Sequence, residues 1–365
     1  MEERTVAQKL HIDMPLLFGI VVLCSIGLVV LYSAGGQNLL VVIRQAVIMT
    51  VALLLMFLTA QINPYQLQRW SIWLYLLGII LLIIVLLAGY TGKGAQRWLD
   101  LGLFRFQPSE LMKLGVPMVM AWFIAGGQVP PNIGRVLLGC VFIMVPVLLI
   151  AKQPDLGTAV LVGAAGFAVL FISGISWRFI ISVMVLIASA MPVIWHFMHD
   201  YQKRRVLTFL NPEQDPLGAG YHTIQAKIAI GSGGLFGKGW LNGTQSHLEF
   251  LPERSTDFIF AVFSEEFGLM GVVLLIAIYG YVIGRGLWIA MNAQETFGKL
   301  LASGLIMTLF VYVFVNIGMV SGQLPVVGVP LPLISLGGTS IVTLMLAFGI
   351  LMSISTHRRM LSNQV

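Results

Sequence analysis

The sequence predicts an all-α polytopic membrane protein of about ten transmembrane helices, with one long polar connection between the seventh and the eighth. Three observations predict it. Apolar residues make up 58% of the 365 and charged residues only 10%, against about 25% charged in an ordinary soluble domain. Mean hydropathy is +0.92. Crossing about 30 Å of hydrocarbon takes about 20 apolar residues, and such stretches recur along the whole chain.

The spans drawn on this basis are 14–32, 39–60, 71–89, 109–125, 134–151, 157–173, 176–195, 258–283, 299–320 and 332–354. They form a single membrane domain, 1–365, with no soluble domain attached. The first run, Met14 to Tyr32, is long and opens a series of further spans, which makes it an uncleaved anchor. Cys24 and Cys140 both fall inside apolar runs, so no disulfide framework is expected. A net charge of +6 suits anionic lipid, and no nucleic-acid module is present in the pattern.

An even number of spans puts both termini on one side. Arg4, Lys9, Arg69, Arg135, Arg178, Arg285, Lys299, Arg358 and Arg359 share that side, which the positive-inside rule makes cytoplasmic. Lys93, Arg97, Arg105 and Lys152 oppose the assignment from the outer side. The outer connections are short except for residues 196–256, about 60 residues, well beyond the length at which a loop is usually functional or disordered.

Candidate chemistry clusters on the outer side. Phe106-Gln107-Pro108-Ser109-Glu110 opens the fourth span, and Glu110 and Lys113 share a helix face. That pair reads equally as a capped helix with an internal ion pair or as the wall of a polar cavity. Ahead of it, Lys93-Gly94-Ala95-Gln96-Arg97-Trp98-Leu99-Asp100 joins cations to an aromatic. It fits a snorkelling interfacial segment, or a surface for an anionic lipid headgroup with Arg97 and Arg105 on phosphate. Asp155, in Lys152-Gln153-Pro154-Asp155-Leu156-Gly157-Thr158, is placed to cap the sixth span and faces the same compartment as Glu110.

The long loop contains Gly231-Ser232-Gly233-Gly234-Leu235-Phe236-Gly237-Lys238-Gly239-Trp240. It is no P-loop, since Gly239 stands where Ser or Thr should follow the lysine. Such glycine density suits either an anion nest or a turn-rich stretch. Asp257 stands at the outer boundary where the eighth span begins, as a helix cap or as a half-buried general base. Glu265 and Glu266 lie deeper and require a partner or a wet cavity. The six histidines, among them the His196/His199 pair and His247 near Glu249, match no zinc pattern.

These motifs, in this order, resemble the SEDS family (shape, elongation, division and sporulation) nearly end to end. The resemblance runs through Lys93 to Trp98, Phe106 to Glu110, Gln153 to Thr158, His199-Asp200-Tyr201-Gln202, Gly243-Thr244-Gln245-Ser246, Leu251 to Arg254 with Thr256-Asp257-Phe258, and Leu324 to Gly338. Two positions depart from it: Ser255 stands where the family often has histidine, and Leu336 where it often has tyrosine. The resemblance implies the SEDS fold and a peptidoglycan glycosyltransferase that polymerises lipid II into glycan strands during cell elongation. It implies Asp257 as the essential catalytic residue, and Glu110, Lys113 and Asp155 as parts of the polar cavity. It implies a class B penicillin-binding protein as transpeptidase partner, elongation-complex membrane proteins beside it, and the bacterial inner membrane as the location, with the active site facing the periplasm.

The implied reaction inverts an α-linkage to β, which asks for a base on the acceptor hydroxyl and charge stabilisation on the departing undecaprenyl pyrophosphate. Asp257 is the expected base. Arg97, Arg105, Lys113 and Arg205 are the expected cations, in that order. No cofactor is required by the residue pattern, and a divalent cation (Mg or Mn) is compatible with it. Two other classes fit a membrane chain of this kind. A lipid II flippase needs polar groups reaching both faces, whereas here they gather outside. A scaffold that only activates the transpeptidase would not need Asp257.

Overall fold

The computed structural model describes residues 10–92, 95–100, 102, 105–197, 203, 207, 209, 219–244 and 253–357. A helix covers each of the ten segments read from the sequence. In chain order these are α1 (Met14–Ala34), α2 (Leu39–Ala60), α3 (Pro64–Ala88), α4 (Pro108–Ala125), α5 (Ile133–Lys152), α6 (Leu156–Ile172) and α7 (Trp177–Phe197), then α9 (Ile259–Met291), α10 (Thr296–Val320) and α11 (Thr339–Thr356). Seven of them, α1 to α3, α5 and α9 to α11, are long and apolar enough to cross a bilayer by length and composition. The others are α4, which carries Glu110 and Lys113, α6 with 17 residues, and α7.

Three features depart from the sequence reading. The connection between α3 and α4 is not a plain loop but a small antiparallel sheet of β1 (Tyr90–Gly92), β2 (Ala95–Asp100) and β3 (Arg105–Phe106), in the order β1-β2-β3. The long connection carries a helix of its own, α8 (Ala219–Ser232), packed on α9 and α10. The last span begins seven residues later than drawn, because residues 332–338 form a turn and irregular chain ahead of α11.

Short polar side chains start the helices. Asp13, Asn38, Asn63, Asn132 and Asp155 each accept a main-chain N–H in the first turn of α1, α2, α3, α5 and α6, satisfying donors that have no partner within the helix. Asp13 also takes a bidentate pair from Arg285, Nε to Oδ1 at 3.0 Å and Nη2 to Oδ2 at 2.8 Å, which ties α1 to α9 at the face opposite the sheet. Most of the long helices keep a band of exposed Leu, Ile, Val and Phe, as lipid-facing surfaces do. α10 is the most enclosed of the long apolar helices, set among α4, α6, α9 and α11. Ser303, Thr308, Tyr312 and Asn316 on α10 are buried within the protein.

The 33-residue α9 is not continuous. Gly268 has φ 62° and ψ −166°, which breaks the helix two turns in. Broken helices at membrane depth need other partners for the freed backbone groups, and here the glycine-rich turn supplies them. Lys238 N–H and Gly239 N–H donate to Glu265 O and Glu266 O, both at 3.0 Å, while Leu269 N–H and Met270 N–H donate to Gly234 O and Leu235 O at 2.9 and 3.1 Å. Gly237 and Gly268 are required by this contact: a Cβ on either would collide with the other segment's backbone. The turn-rich reading of the glycine run, rather than the anion nest, describes this segment.

Candidate active site

The site is built on the N-terminal ends of α4, α6 and α9 and the C-terminal half of α10. Pro108 at the start of α4 fixes the entry, and Glu110 follows within the first turn, where the helix dipole favours an acid. Lys113 lies one turn further and places its Nζ 2.6 Å from Glu110 Oε1. The same ammonium is hydrogen-bonded to the Tyr312 hydroxyl on α10 and lies 4.8 Å from that ring's centre. All three groups are buried. A charge in such a place needs both an opposite charge and hydrogen bonds to its remaining donors, and Tyr312 supplies the second. Beside Lys113 and Tyr312, with Thr308 and Thr343 in its wall, is a cavity of about 20 Å³, room for about one water. Among the described residues Glu110 Oε2 has no hydrogen-bond partner.

Asp155 performs the capping role read from the sequence, accepting Thr158 N–H at 3.2 Å, and does more besides. Gln107 Nε2 donates to its other oxygen at 2.9 Å, joining the start of α6 to the start of α4. Arg97, on β2, donates to Gln153 O at 3.4 Å and to Pro154 O, with Nη1 3.8 Å from Asp155 Oδ1. The guanidinium thus lies on the rim, about 30% exposed, and pins the Gln153–Asp155 turn. Arg105, on β3, is the strand partner of Asp100 on β2. Arg205 lies outside the described residues.

Asp257 stands one residue ahead of the cap position of α9. The helix starts at Ile259, with Phe258 at the cap position and no side-chain cap bond. Asp257 instead closes a turn over 253–258 and is half-buried. The α10–α11 connection brings it to the rest of the site. A Cβ on Gly328 would lie 3.4 Å from Asp257 Oδ2, and one on Gly157, at the start of α6, would lie 2.6 Å from Val327 O. The next residue, Val329, packs with Leu161 and Tyr312. Asp257 therefore borders the 327–329 segment at Gly328, while Gly157, two residues past Asp155, and Tyr312, the partner of Lys113, border it at Val327 and Val329.

Sequence reasoning missed Tyr312, Asn316, Gln107, Ser335 and His222. The signal for the first two was present: a tyrosine and an amide four residues apart in an otherwise apolar span. His222, on α8, lies 5.9 Å from the Phe258 ring, next to Asp257 in sequence. Burial pushes its imidazole below the ordinary 6.5, against the opposing pull of Glu253. The two positions that depart from the resemblance prove to be one contact, with Leu336 N–H donating to Ser255 O at 2.8 Å. Glu265 is satisfied by Lys238 Nζ at 2.6 Å and by Thr244 N–H and hydroxyl at 2.9 Å, and Glu266 accepts from Ser33. Among the described residues no three His, Cys, Asp or Glu side chains gather as a metal-ligand set.

A family model for FtsW, RodA and SpoVE, described as cell cycle protein, matches residues 8–360. The chain belongs to this family. Within the FtsW/RodA/SpoVE proteins it is 54% identical over 364 residues to the peptidoglycan glycosyltransferase MrdB of Escherichia coli (strain K12), covering all of this chain and 98% of that one. It is 38% identical to the MrdB of Helicobacter pylori, over 96% of this chain and 91% of that one. It is also 38% identical to a probable peptidoglycan glycosyltransferase FtsW of Trichlorobacter lovleyi, over 94% and 93%. Among solved structures, a chain of a peptidoglycan synthase complex that coordinates polymerization and crosslinking superposes with a TM-score of 0.85 at 31% identity, covering 95% of this chain and 99% of that one. The rod shape determining protein RodA of Thermus thermophilus superposes with a TM-score of 0.72 at 30% identity, covering 94% and 96%.

Proposed function

We propose that this chain is a peptidoglycan glycosyltransferase that polymerises lipid II into glycan strands, with Asp257 as the general base. One observation carries the assignment of the base. Asp257 sits in a held turn just before α9, half-buried at an apolar boundary, with its Oδ2 turned to the Gly328 turn of the α10–α11 connection. A carboxylate so placed fits the role of a proton acceptor at an apolar boundary. The family relationship, at 54% identity over the whole chain to a protein of that activity, supports the reaction class.

In this reading the acceptor sugar's 4-hydroxyl approaches the anomeric carbon of the donor from the face opposite its pyrophosphate. The new C1–O bond forms as the C1–phosphate oxygen bond breaks, inverting the centre, and the hydroxyl proton passes to Asp257. Undecaprenyl pyrophosphate departs with the bonding pair. Arg97 on the rim supplies positive charge towards that group. Lys113 acts from within, holding α4 against α10 through Tyr312, because its ammonium is already engaged by Glu110 and Tyr312. Embedding in the bilayer lets the prenyl tails of donor and product remain in lipid throughout.

The chain works from the bacterial inner membrane as a multi-pass protein, both termini cytoplasmic and the site facing the periplasm. Its partner is a class B penicillin-binding protein that crosslinks the nascent strand. The inner ends of the helices carry Asp13 paired with Arg285, and His11 stacked on His357 at 3.9 Å. The Glu110–Lys113 and Asp155–Arg97 groups sit at the other ends. That separation favours an enzyme of the outer face over a flippase. The test is reconstitution of the purified chain with its transpeptidase partner and lipid II, followed by gel analysis of glycan strands. Strands are expected from the intact chain. A folded complex that moves lipid II between leaflets but makes no strand would overturn the reading.

A further inference from the structure

The turn that ends on Asp257 is held by its own carbonyls, three in succession. Ser255 O accepts from Leu336 N–H at 2.8 Å, Thr256 O from Ser335 Oγ at 2.6 Å, and Asp257 O from Asn316 Nδ2 at 2.9 Å. The two side chains in this set also bind the connection that faces the turn. Asn316 donates to Val329 O at 2.7 Å, and Ser335 Oγ accepts Leu331 N–H at 2.7 Å. Both side chains are buried. An amide inside an apolar helix is costly unless it is bonded, and Asn316 directs its donor atom to main-chain carbonyls on two separate segments.

This arrangement matters because the turn, rather than α9, carries Asp257. The residue precedes the helix, its turn begins with Glu253 at φ 54°, and Phe258 makes no side-chain cap. We propose that Asn316 and Ser335 are positioning residues that fix the Asp257 carboxylate for proton abstraction from the acceptor hydroxyl. The proposal rests on the assignment of Asp257 as the base. It joins the two halves of the site as well. Asn316 lies one turn from Tyr312 on α10, so the helix that clamps the Asp257 turn also carries the partner of Lys113.

A positioning role and a merely structural one differ in what they move. Displacing a base by about 1 Å costs on the order of 100-fold in rate while leaving substrate binding in place, whereas loosened packing lowers the amount of folded protein. The experiment compares Asn316→Ala, Ser335→Ala and Ser335→Thr in the reconstituted complex, measuring kcat and KM for lipid II polymerisation alongside thermal unfolding. Ser303→Ala, on α10 and bonded to Lys299 O alone among the described residues, is the control. Asn316→Ala and Ser335→Ala are each expected to lower kcat about 10- to 100-fold with KM within about threefold. Ser335→Thr keeps the hydroxyl and is expected to restore the parent rate to within about threefold, and Ser303→Ala to leave it unchanged.

Folded Asn316→Ala and Ser335→Ala complexes that polymerise at the parent kcat would overturn the proposal. So would a loss confined to KM, or failure of Ser335→Thr to restore the rate. If Asn316→Ala does not fold, the two Ser335 variants decide alone. Asp257→Asn is assayed in parallel. An active Asp257→Asn removes the base assignment itself, whereas an inactive one beside parent rates in the clamp variants removes only the positioning role.

Discussion

Lys113 holds its ammonium 2.6 Å from Glu110 Oε1, three residues back on α4, and both side chains are buried. Removing one partner of such a pair strands the other, which costs about 3–5 kcal/mol, while replacing both with neutral groups of similar volume is close to neutral. Lys113→Met is therefore expected to lower the thermal midpoint strongly. The double variant Lys113→Met with Glu110→Gln is expected to recover most of it, as measured by unfolding in detergent. Equal losses in the single and double variants would show that Lys113 has a role beyond neutralising Glu110.

Gly268 offers a sharper contrast. Its φ of 62° lies in the region that favours glycine, and a Cβ would meet the backbone of Gly237 and Leu235 in the docked turn. Gly268→Ala is expected to cost more than about 2 kcal/mol, from backbone strain added to the collision. Gly280, further along α9, has open space where a Cβ would go. Gly280→Ala is expected to be neutral or to stabilise by up to about 1 kcal/mol. Comparing the two unfolding midpoints checks the inserted turn directly.

His222 predicts a pH dependence. Its folded pKa lies below the ordinary 6.5, burial being the larger cause and Glu253 the opposing one. Below pH 6.5 the unfolded chain binds the proton first, so the stability this residue contributes is present above that value and is lost as pH falls towards its folded pKa. Thermal midpoints of the parent should decline on the acid side of 6.5 more steeply than those of His222→Gln. Superimposable profiles would remove His222 from the account.

The ten-helix architecture was legible because a bilayer imposes one requirement, about 20 apolar residues per crossing, that survives any detail of packing. The sheet at 90–106 was not. Its strands are only two to six residues long, and the Arg97 bonds to Gln153 O and Pro154 O that tie it to the rest of the chain join segments 56 residues apart. Helix α8 was hidden for a related reason: 14 residues of mixed polarity read as loop until α9 and α10 give one face something to pack on. The roles of Glu265 and Glu266 were half-legible. Two acids inside a span announced a need for partners, but Lys238, Thr244 and Ser33 come from sites that only the fold brings near.

Within the candidate site, sequence found the charged residues and missed the neutral ones that hold them. Asp257, Glu110, Lys113 and Asp155 stand out by charge against an apolar background. Asn316, Tyr312, Gln107 and Ser335 do not, yet each makes a hydrogen bond that fixes one of the four or the turn that carries it. The departures at Ser255 and Leu336 meet through main-chain atoms, so the clamp on the Asp257 turn does not depend on either side chain.

The central claim is that Asp257 accepts the acceptor's proton, and Asp257→Asn tests it with the least disturbance of shape. The measurement is the rate of glycan-strand formation from lipid II by the reconstituted complex, with unfolding followed on the same preparations. General-base assistance is worth about 10²–10⁴ in rate, so Asp257→Asn is expected to lose at least about 100-fold at an unchanged thermal midpoint. Strand synthesis at the parent rate by the folded variant would contradict the account.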